Sequence, residues 1–295
     1  MKKIVKIGIG VAAGLAVLVG GAALYAQLAS ERKLHRIVSI DVRPVSLPED
    51  AVALERGRYL YATRGCTDCH GRDGAGKVFI DDPNGLHVKG PNITLGQGSP
   101  TAAYAPADWV RAIRHGLNRN GQPLLIMPSE DYTRMTDADL GALIAYVRAL
   151  PPVTDDRREI RLPLPVRFVY AAGILKDAAE KIDHSLPPAQ PVAGDDVIAQ
   201  GAYVANMCQG CHGEGLRGGK IPGTPPDWPA AADLRPGPVM ARYTTPESFA
   251  AMLRSGKRPD GSAIKVMPFD SLQEMSDAEI AALLAYLKTL PGKAR

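Results

Sequence analysis

The chain has 295 residues, of which 22% are charged and only 5% are aromatic, with 30 glycines and 25 prolines. This length suggests about two domains of ordinary size, and the scarcity of aromatic residues favours small cores wrapped by loops over large sheets. The net charge is +4, but Lys2, Lys3 and Lys6 supply three of those charges, which excludes the clustered basic surface of a nucleic-acid-binding protein.

The first predicted element is a membrane helix. Residues 7–26 carry no charge, and a helix of this length spans roughly the 30 Å hydrocarbon core of a bilayer. A cleaved secretory signal is the alternative, although its apolar stretch is usually shorter. Because the lysines precede this helix and Glu31 follows it, we expect the rest of the chain on the periplasmic side of the cytoplasmic membrane. Residues 1–30 are therefore predicted as an anchor, and residues 31–50 as a stalk.

A helical pattern over residues 54–62 leads into the first cysteine motif, Cys66 to His70. Two cysteines separated by two residues and followed by His can form thioethers with the haem vinyl groups while the His binds the iron. A thioredoxin-like thiol pair or half of a zinc site are the alternatives, but no strand alternation flanks the motif and no spare cysteine could complete a zinc site. We therefore predict that Cys66, Cys69 and His70 hold a c-type haem.

Two methionines follow this motif, and they differ in their surroundings. Met135 lies just before Thr136, a predicted N-cap with Asp139 three residues later, so packing of Met135 against the helix as a hydrophobic staple explains it. Met127 instead precedes Pro128 in a loop after a predicted helix at 107–115, where nothing local requires a methionine. We predict Met127 as the sixth iron ligand, and core packing is the alternative.

Residues 154–194 are rich in proline at their ends and are predicted as a linker, with a short amphipathic stretch at 171–182. The chain after the linker repeats the chain before it. Pairs that recur 140 positions apart include Trp109 and Phe249, Arg114 and Arg254, Gly116 and Gly256, Gly121 and Gly261, Met127 and Met267, Pro128 and Pro268, and Tyr146 and Tyr286. This repeat predicts two globular modules, of which the first module is residues 51–153 and the second module is residues 195–295.

The repeat assigns the second site. Cys208, Cys211 and His212 form the second haem-attachment motif, and Met267 corresponds to Met127 as the sixth ligand. Met275 is a staple like Met135, because it lies just before Ser276, a predicted N-cap with Glu279 three residues later in the manner of a capping box. Met240 and Met252 have no counterparts in the first module and are predicted as core residues. His115 aligns with Ser255, which excludes a repeated ligand role, and His87 is predicted as a surface residue.

The motifs resemble those of bacterial class I cytochromes c, in which a Cys-x-x-Cys-His motif is followed by a Met-Pro loop and a closing helix. The resemblance implies an all-α fold: an N-terminal transmembrane helix followed by two tandem class I cytochrome c domains. It also implies that the helices bearing Gly57 and Gly201 cross the closing helices near Tyr146 and Tyr286. A further implication is that the Pro91 carbonyl orients His70. The equivalent of Pro91 in the second module lies among Pro222, Pro225 and Pro226.

Iron held by His and thioether sulfur keeps its geometry in both oxidation states, which is typical of an electron carrier and not of a catalyst. The first module also resembles the cytochrome subunits of membrane-bound alcohol and related dehydrogenases. The resemblance implies a relay between a dehydrogenase or quinol-oxidising partner and a soluble cytochrome or terminal oxidase. A dihaem peroxidase is the alternative, and the matching methionine loops argue against it. Nothing in the sequence positively supports a third possibility, a sensor or assembly module.

Overall fold

The computed structural model describes residues 2–154, 159–221, 224 and 227–292, and its secondary structure is mostly helical. The α-helices within these residues are α1 (Lys2–Leu34), α2 (Ala51–Thr63), α3 (Cys66–His70), α4 (Pro106–His115), α5 (Asp137–Ala149), α6 (Leu164–Ala171), α7 (Val197–Ala205), α8 (Gln209–His212), α9 (Pro246–Ser255), α10 (Phe269–Leu272) and α11 (Asp277–Thr289). Short 3-10 turns, among them Ser129–Asp131 and Ala179–Lys181, connect some of them.

Helix α1 extends beyond the predicted anchor and ends at Leu34. Among the described residues, Val5–Leu34 is the one helix that is long and apolar enough to cross a membrane. Its apolar side chains are exposed, with Val17 at 74% and Leu18 at 70%, as expected of a helix that lies in lipid. Near its end Ala26 and Ser30 are buried, so this part of α1 contacts the rest of the protein.

In each module the first and last helices cross at a glycine. A Cβ placed on Gly57 of α2 would lie 2.1 Å from the Ala142 carbonyl oxygen of α5 and 2.7 Å from Tyr146 Cβ. The same atom on Gly201 of α7 would lie 2.0 Å from the Ala282 carbonyl oxygen of α11 and 2.7 Å from the Cβ of Tyr286. The backbones approach so closely that only glycine fits, and the predicted crossings are confirmed.

The prediction of an all-α fold is wrong in one part. A small antiparallel sheet joins β1 (Val78–Asp81), β2 (His87–Lys89) and β3 (Ile160–Arg161) in that order. The sequence contains a hairpin pattern, because a Pro-Asn-Gly turn at 83–85 separates a run with Val78 and Ile80 from a run with Val88. Gly85 in this turn has φ +94°. The third strand comes from the linker, and no pattern in residues 160–161 alone could have indicated it.

The α-helix of the linker, α6, lies almost entirely before the amphipathic stretch at 171–182. Helix α6 has Pro165 in its first turn and ends before Gly173, whose φ of +75° stops a helix. Helix α6 packs beside the end of α1. Arg36 there forms two hydrogen bonds, of 2.6 and 2.9 Å, with the fully buried carboxylate of Asp177 in the linker.

Candidate haem-binding sites

The first motif forms helix α3, which follows Gly65 in the left-handed region (φ +81°). The Nδ1 atom of His70 lies 3.0 Å from the carbonyl oxygen of Pro91. A carbonyl can only accept a hydrogen bond, so Nδ1 carries the proton and the Nε2 lone pair stays available for a metal. Burial lowers the pKa of His70, which favours the neutral imidazole that binds iron.

The second motif has the same arrangement with a different acceptor. The Nδ1 atom of His212 lies 2.7 Å from the carbonyl oxygen of Ala232. Pro222, Pro225 and Pro226 lie outside the described residues, and Ala232 holds the position that one of them was expected to occupy. The acceptor follows His70 by 21 residues and His212 by 20, so spacing would have located it better than residue type.

None of the four cysteines is paired in a disulfide, and the surroundings of the two motifs are unlike those of a redox-active thiol pair. Burial raises the pKa of Cys66 and of Cys208 to about 12, and that of Cys69 to about 11. Thiols that exchange disulfides have a lowered pKa instead. No three His, Cys, Asp or Glu side chains in the described part of the chain are grouped as a zinc site requires.

Met127 and Met267 occupy matching loops. Met127 packs against the same apolar cluster as Cys66, and Met267 packs against the same cluster as Cys208. Each loop turns at the following proline, where Ser129 N donates to the Met127 carbonyl at 2.8 Å and Phe269 N donates to the Met267 carbonyl at 2.9 Å. Met135 and Met275, which were predicted as hydrophobic staples, and Met240 and Met252, which were predicted as core residues, are buried.

One orphaned polar atom in the first module fits a prosthetic group. Trp109 is 3% exposed, and its indole Nε1 has no hydrogen-bond partner among the described residues. A buried donor of this kind is costly unless an acceptor reaches it, and a haem carboxylate could serve. Phe249 takes the equivalent position in the second module and offers no donor, so the two sites differ there.

Each haem-attachment motif forms a hydrogen bond with the opposite module, and the partners in the two modules occupy equivalent positions. Ser271 Oγ donates to Asp68 Oδ2, inside the first motif, at 2.9 Å. Gly210 N, inside the second motif, donates to Asp131 Oδ1 at 2.7 Å. Asp131 and Ser271 are 140 positions apart, so each motif contacts the segment that follows the methionine loop of the other module. Burial raises the pKa of Asp131 to about 8.

The caps of the closing helices belong to this interface. Thr136 and Ser276 accept the expected hydrogen bonds from the backbone of Asp139 and Glu279, so both N-caps are confirmed. The acids do not complete capping boxes, however. Glu279 forms two hydrogen bonds of 2.9 Å with Arg64 of the first module. Asp139 accepts a hydrogen bond of 2.7 Å from the hydroxyl of Tyr203 in the second module.

The remaining histidines lie in other surroundings. His87 is on β2, with Nδ1 3.0 Å from Asp81, and its side chain is 17% exposed. The Nδ1 atoms of His115 and His184 lie 3.1 Å apart, and burial together with His184 lowers the pKa of His115 to about 4.

Comparison with known proteins gives a consistent picture. Residues 52–147 and 196–287 match the family described as cytochrome c oxidase, cbb3-type, subunit III. The fructose dehydrogenase cytochrome subunit of Gluconobacter japonicus is 29% identical over 264 residues, covering 82% of this chain and 53% of the relative. The gluconate 2-dehydrogenase cytochrome c subunit of Pantoea cypripedii is 28% identical over 273 residues, 81% of this chain and 60% of the relative.

The alcohol dehydrogenase (quinone) cytochrome c subunit of Gluconacetobacter polyoxogenes is also similar, with 28% identity over 273 residues, 82% of this chain and 57% of the relative. The chain thus spans between 53 and 60% of the length of these three relatives.

Proposed function

The chain belongs to the family described as cytochrome c oxidase, cbb3-type, subunit III, and from this premise we propose that it transfers electrons through two covalently bound c-type haems with His and Met ligands. The observation that carries the proposal is the duplicated site. The Nδ1 atom of each motif His is hydrogen-bonded to a backbone carbonyl. Each module also has a methionine that packs against the same apolar cluster as a motif cysteine.

The residues of the chain have separate roles in this proposal. Cys66, Cys69, Cys208 and Cys211 attach the two haems, and His70, Met127, His212 and Met267 ligate the iron. The bound haem supplies a one-electron Fe(III)/Fe(II) couple. The carbonyls of Pro91 and Ala232 fix the orientation of the two imidazoles and increase their basicity. Buried, apolar surroundings limit the rearrangement of water when the charge on the iron changes.

We also propose where the chain operates. Helix α1 would anchor it in the cytoplasmic membrane with both modules on the periplasmic side, because the lysines precede the apolar helix. Three relatives are cytochrome subunits of dehydrogenases that act on fructose, gluconate or alcohol. By this likeness the chain would receive electrons from a dehydrogenase or quinol-oxidising partner and pass them to a soluble cytochrome or terminal oxidase.

A haem count and a redox titration of the purified full-length protein test the proposal. We expect two haems per chain and two low-spin centres, with the weak sulfur-to-iron band in the oxidised state. The double variant Cys208→Ala/Cys211→Ala is the matched control, and it should retain one covalently bound haem. A single haem in the wild-type protein, a high-spin component, or rapid turnover of peroxide would contradict the proposal.

A further inference from the structure

The two loops that precede Met127 and Met267 correspond in sequence but differ in exposure. In the first module, Leu117, Gly121 and Pro123 are buried. Their counterparts 140 positions later, Lys257, Gly261 and Ala263, are exposed. One copy of the loop is therefore covered by other parts of the chain, and the other copy faces solvent.

The stalk and the linker cover the first loop. Val38 N in the stalk donates to the Gly121 carbonyl at 2.9 Å, and a Cβ on Gly121 would lie 3.1 Å from the Val38 carbonyl oxygen. Ala178 N in the linker donates to the Leu124 carbonyl at 3.0 Å. A Cβ on Gly116 would lie only 2.5 Å from Ala178 Cβ. Another protein could therefore reach the loop backbone at Gly116, Gly121 and Leu124 only after displacing backbone that is already hydrogen-bonded.

No described part of the chain covers the second loop in this way. A Cβ on Gly261 would meet no atom within 4 Å. A Cβ on Gly256 would meet Phe269, which belongs to the same module, at 3.2 Å. Among the described residues, nothing covers the second loop at Gly261, and Lys257 and Ala263 on either side of it are exposed.

This open loop is also basic. Lys257, Arg258 and Lys265 lie on it, and Arg242 approaches it through Asp260, 3.6 Å away. We call Arg242, Lys257, Arg258 and Lys265 the basic face; Asp260 is the carboxylate within the loop. At the positions equivalent to Lys257, Arg258 and Lys265, the first loop has Leu117, Asn118 and Leu125, which are uncharged.

We propose that the basic face is the docking surface for an acidic redox protein, so that electrons enter or leave the chain at the second module. The inference rests on the proposed function, because the loop lies beside a haem only if Met267 ligates it. Opposite charges on two redox proteins raise the rate of encounter without requiring a large or long-lived interface. The first module would then exchange electrons with the second module and not directly with this partner.

Oxidation of the reduced full-length protein by plastocyanin, an acidic copper protein, tests the docking surface. One electron passes from Fe(II) to Cu(II) and gives Fe(III) and Cu(I), so the reaction is complete without another reagent. The double variant Lys257→Glu/Lys265→Glu should react roughly tenfold more slowly at low ionic strength, and added salt should reduce the difference. Tris(phenanthroline)cobalt(III), a cation, should oxidise the same variant faster than it oxidises the wild-type protein.

Arg119→Glu is the control for a charge reversal outside the basic face, because Arg119 is exposed on the first loop and its replacement should leave the rate with plastocyanin unchanged. Equal rates for the double variant and the wild-type protein, or a larger effect of Arg119→Glu, would overturn the inference. The haem content and spectra of each protein are measured first. Absence of two low-spin haems in the wild-type protein refutes the proposed function, whereas intact haems with unchanged rates refute only the docking surface.

Discussion

Replacing Gly57 with alanine should destabilise the first module, although alanine is the better helix former. A new Cβ would lie 2.1 Å from the Ala142 carbonyl oxygen, whereas ordinary contacts begin at 3.4 Å, so α2 and α5 would have to separate. The obstacle is backbone, which cannot rotate away as a side chain could. Alanine gains about 1 kcal/mol in helix propensity, and overpacking costs about 1–3 kcal/mol or more. We expect a net loss of about 2 kcal/mol in the free energy of unfolding, since a backbone clash places the cost at the upper end of that range.

Guanidinium unfolding of the purified protein, followed by circular dichroism, measures this loss. Gly201→Ala should have a similar effect in the second module, because its Cβ would lie 2.0 Å from the Ala282 carbonyl oxygen. Gly194→Ala is the control, since no atom lies within 4 Å of the added Cβ, and its effect should stay within about 0.5 kcal/mol. A Gly57→Ala protein as stable as the wild-type protein would refute the close crossing of α2 and α5.

Three further perturbations address the ligands and the interface between the modules. Met127→His or Met267→His should each lower the potential of one haem by a large step while the haem count stays at two, because imidazole stabilises Fe(II) less than thioether sulfur does; unchanged potentials in a redox titration would refute the ligand assignment. Arg64→Leu should lower the free energy of unfolding by about 3 kcal/mol, because it leaves the carboxylate of Glu279 without its main partner. Adding Glu279→Leu should recover most of that loss in chemical unfolding, and additive losses would count against coupling of the pair. Burial raises the pKa of Asp131 to about 8, so the folded protein keeps a proton that the unfolded chain releases, and stability should fall as pH rises from about 4 to 8. Asp131→Asn should flatten that dependence in unfolding experiments across the same range, and an unchanged slope would show that Asp131 is not its source.

Local patterns predicted most of the helices well. Helix α4 begins one residue before its predicted start at 107, and α2 contains all of the predicted residues 54–62. The N-caps of the closing helices were also correct, since a hydroxyl three residues from a backbone N–H depends on short-range geometry alone. The hairpin at 78–89 was not predicted, although its turn residues stand in the sequence, because strands of four and three residues are too short to show a clear alternating pattern.

The acidic residues after those N-caps have hydrogen-bond partners that the local sequence does not predict. Glu279 and Asp139 stand at the third helical position, as a capping box requires, yet Glu279 bonds to Arg64 of the first module. Asp139 bonds to Arg56 on α2 of its own module and to Tyr203 of the second module. The hydroxyls of Tyr59 and Tyr203, and not these two acids, accept hydrogen bonds from the backbone N–H groups of Ser276 and Thr136. A second module close by offers partners that an isolated helix does not have, and no pattern within one helix reports them.

The sequence by itself predicted the chemistry, because the two motifs and their methionine loops are recognised from residue types at short spacings, and the repeat pairs them. Tertiary structure alone decided that Ala232 orients His212, that the two motifs contact each other's modules, and that the first methionine loop is covered while the second is open. The reason is physical. Backbone carbonyls have no residue signature, and whether a loop is covered depends on where distant parts of the chain pack.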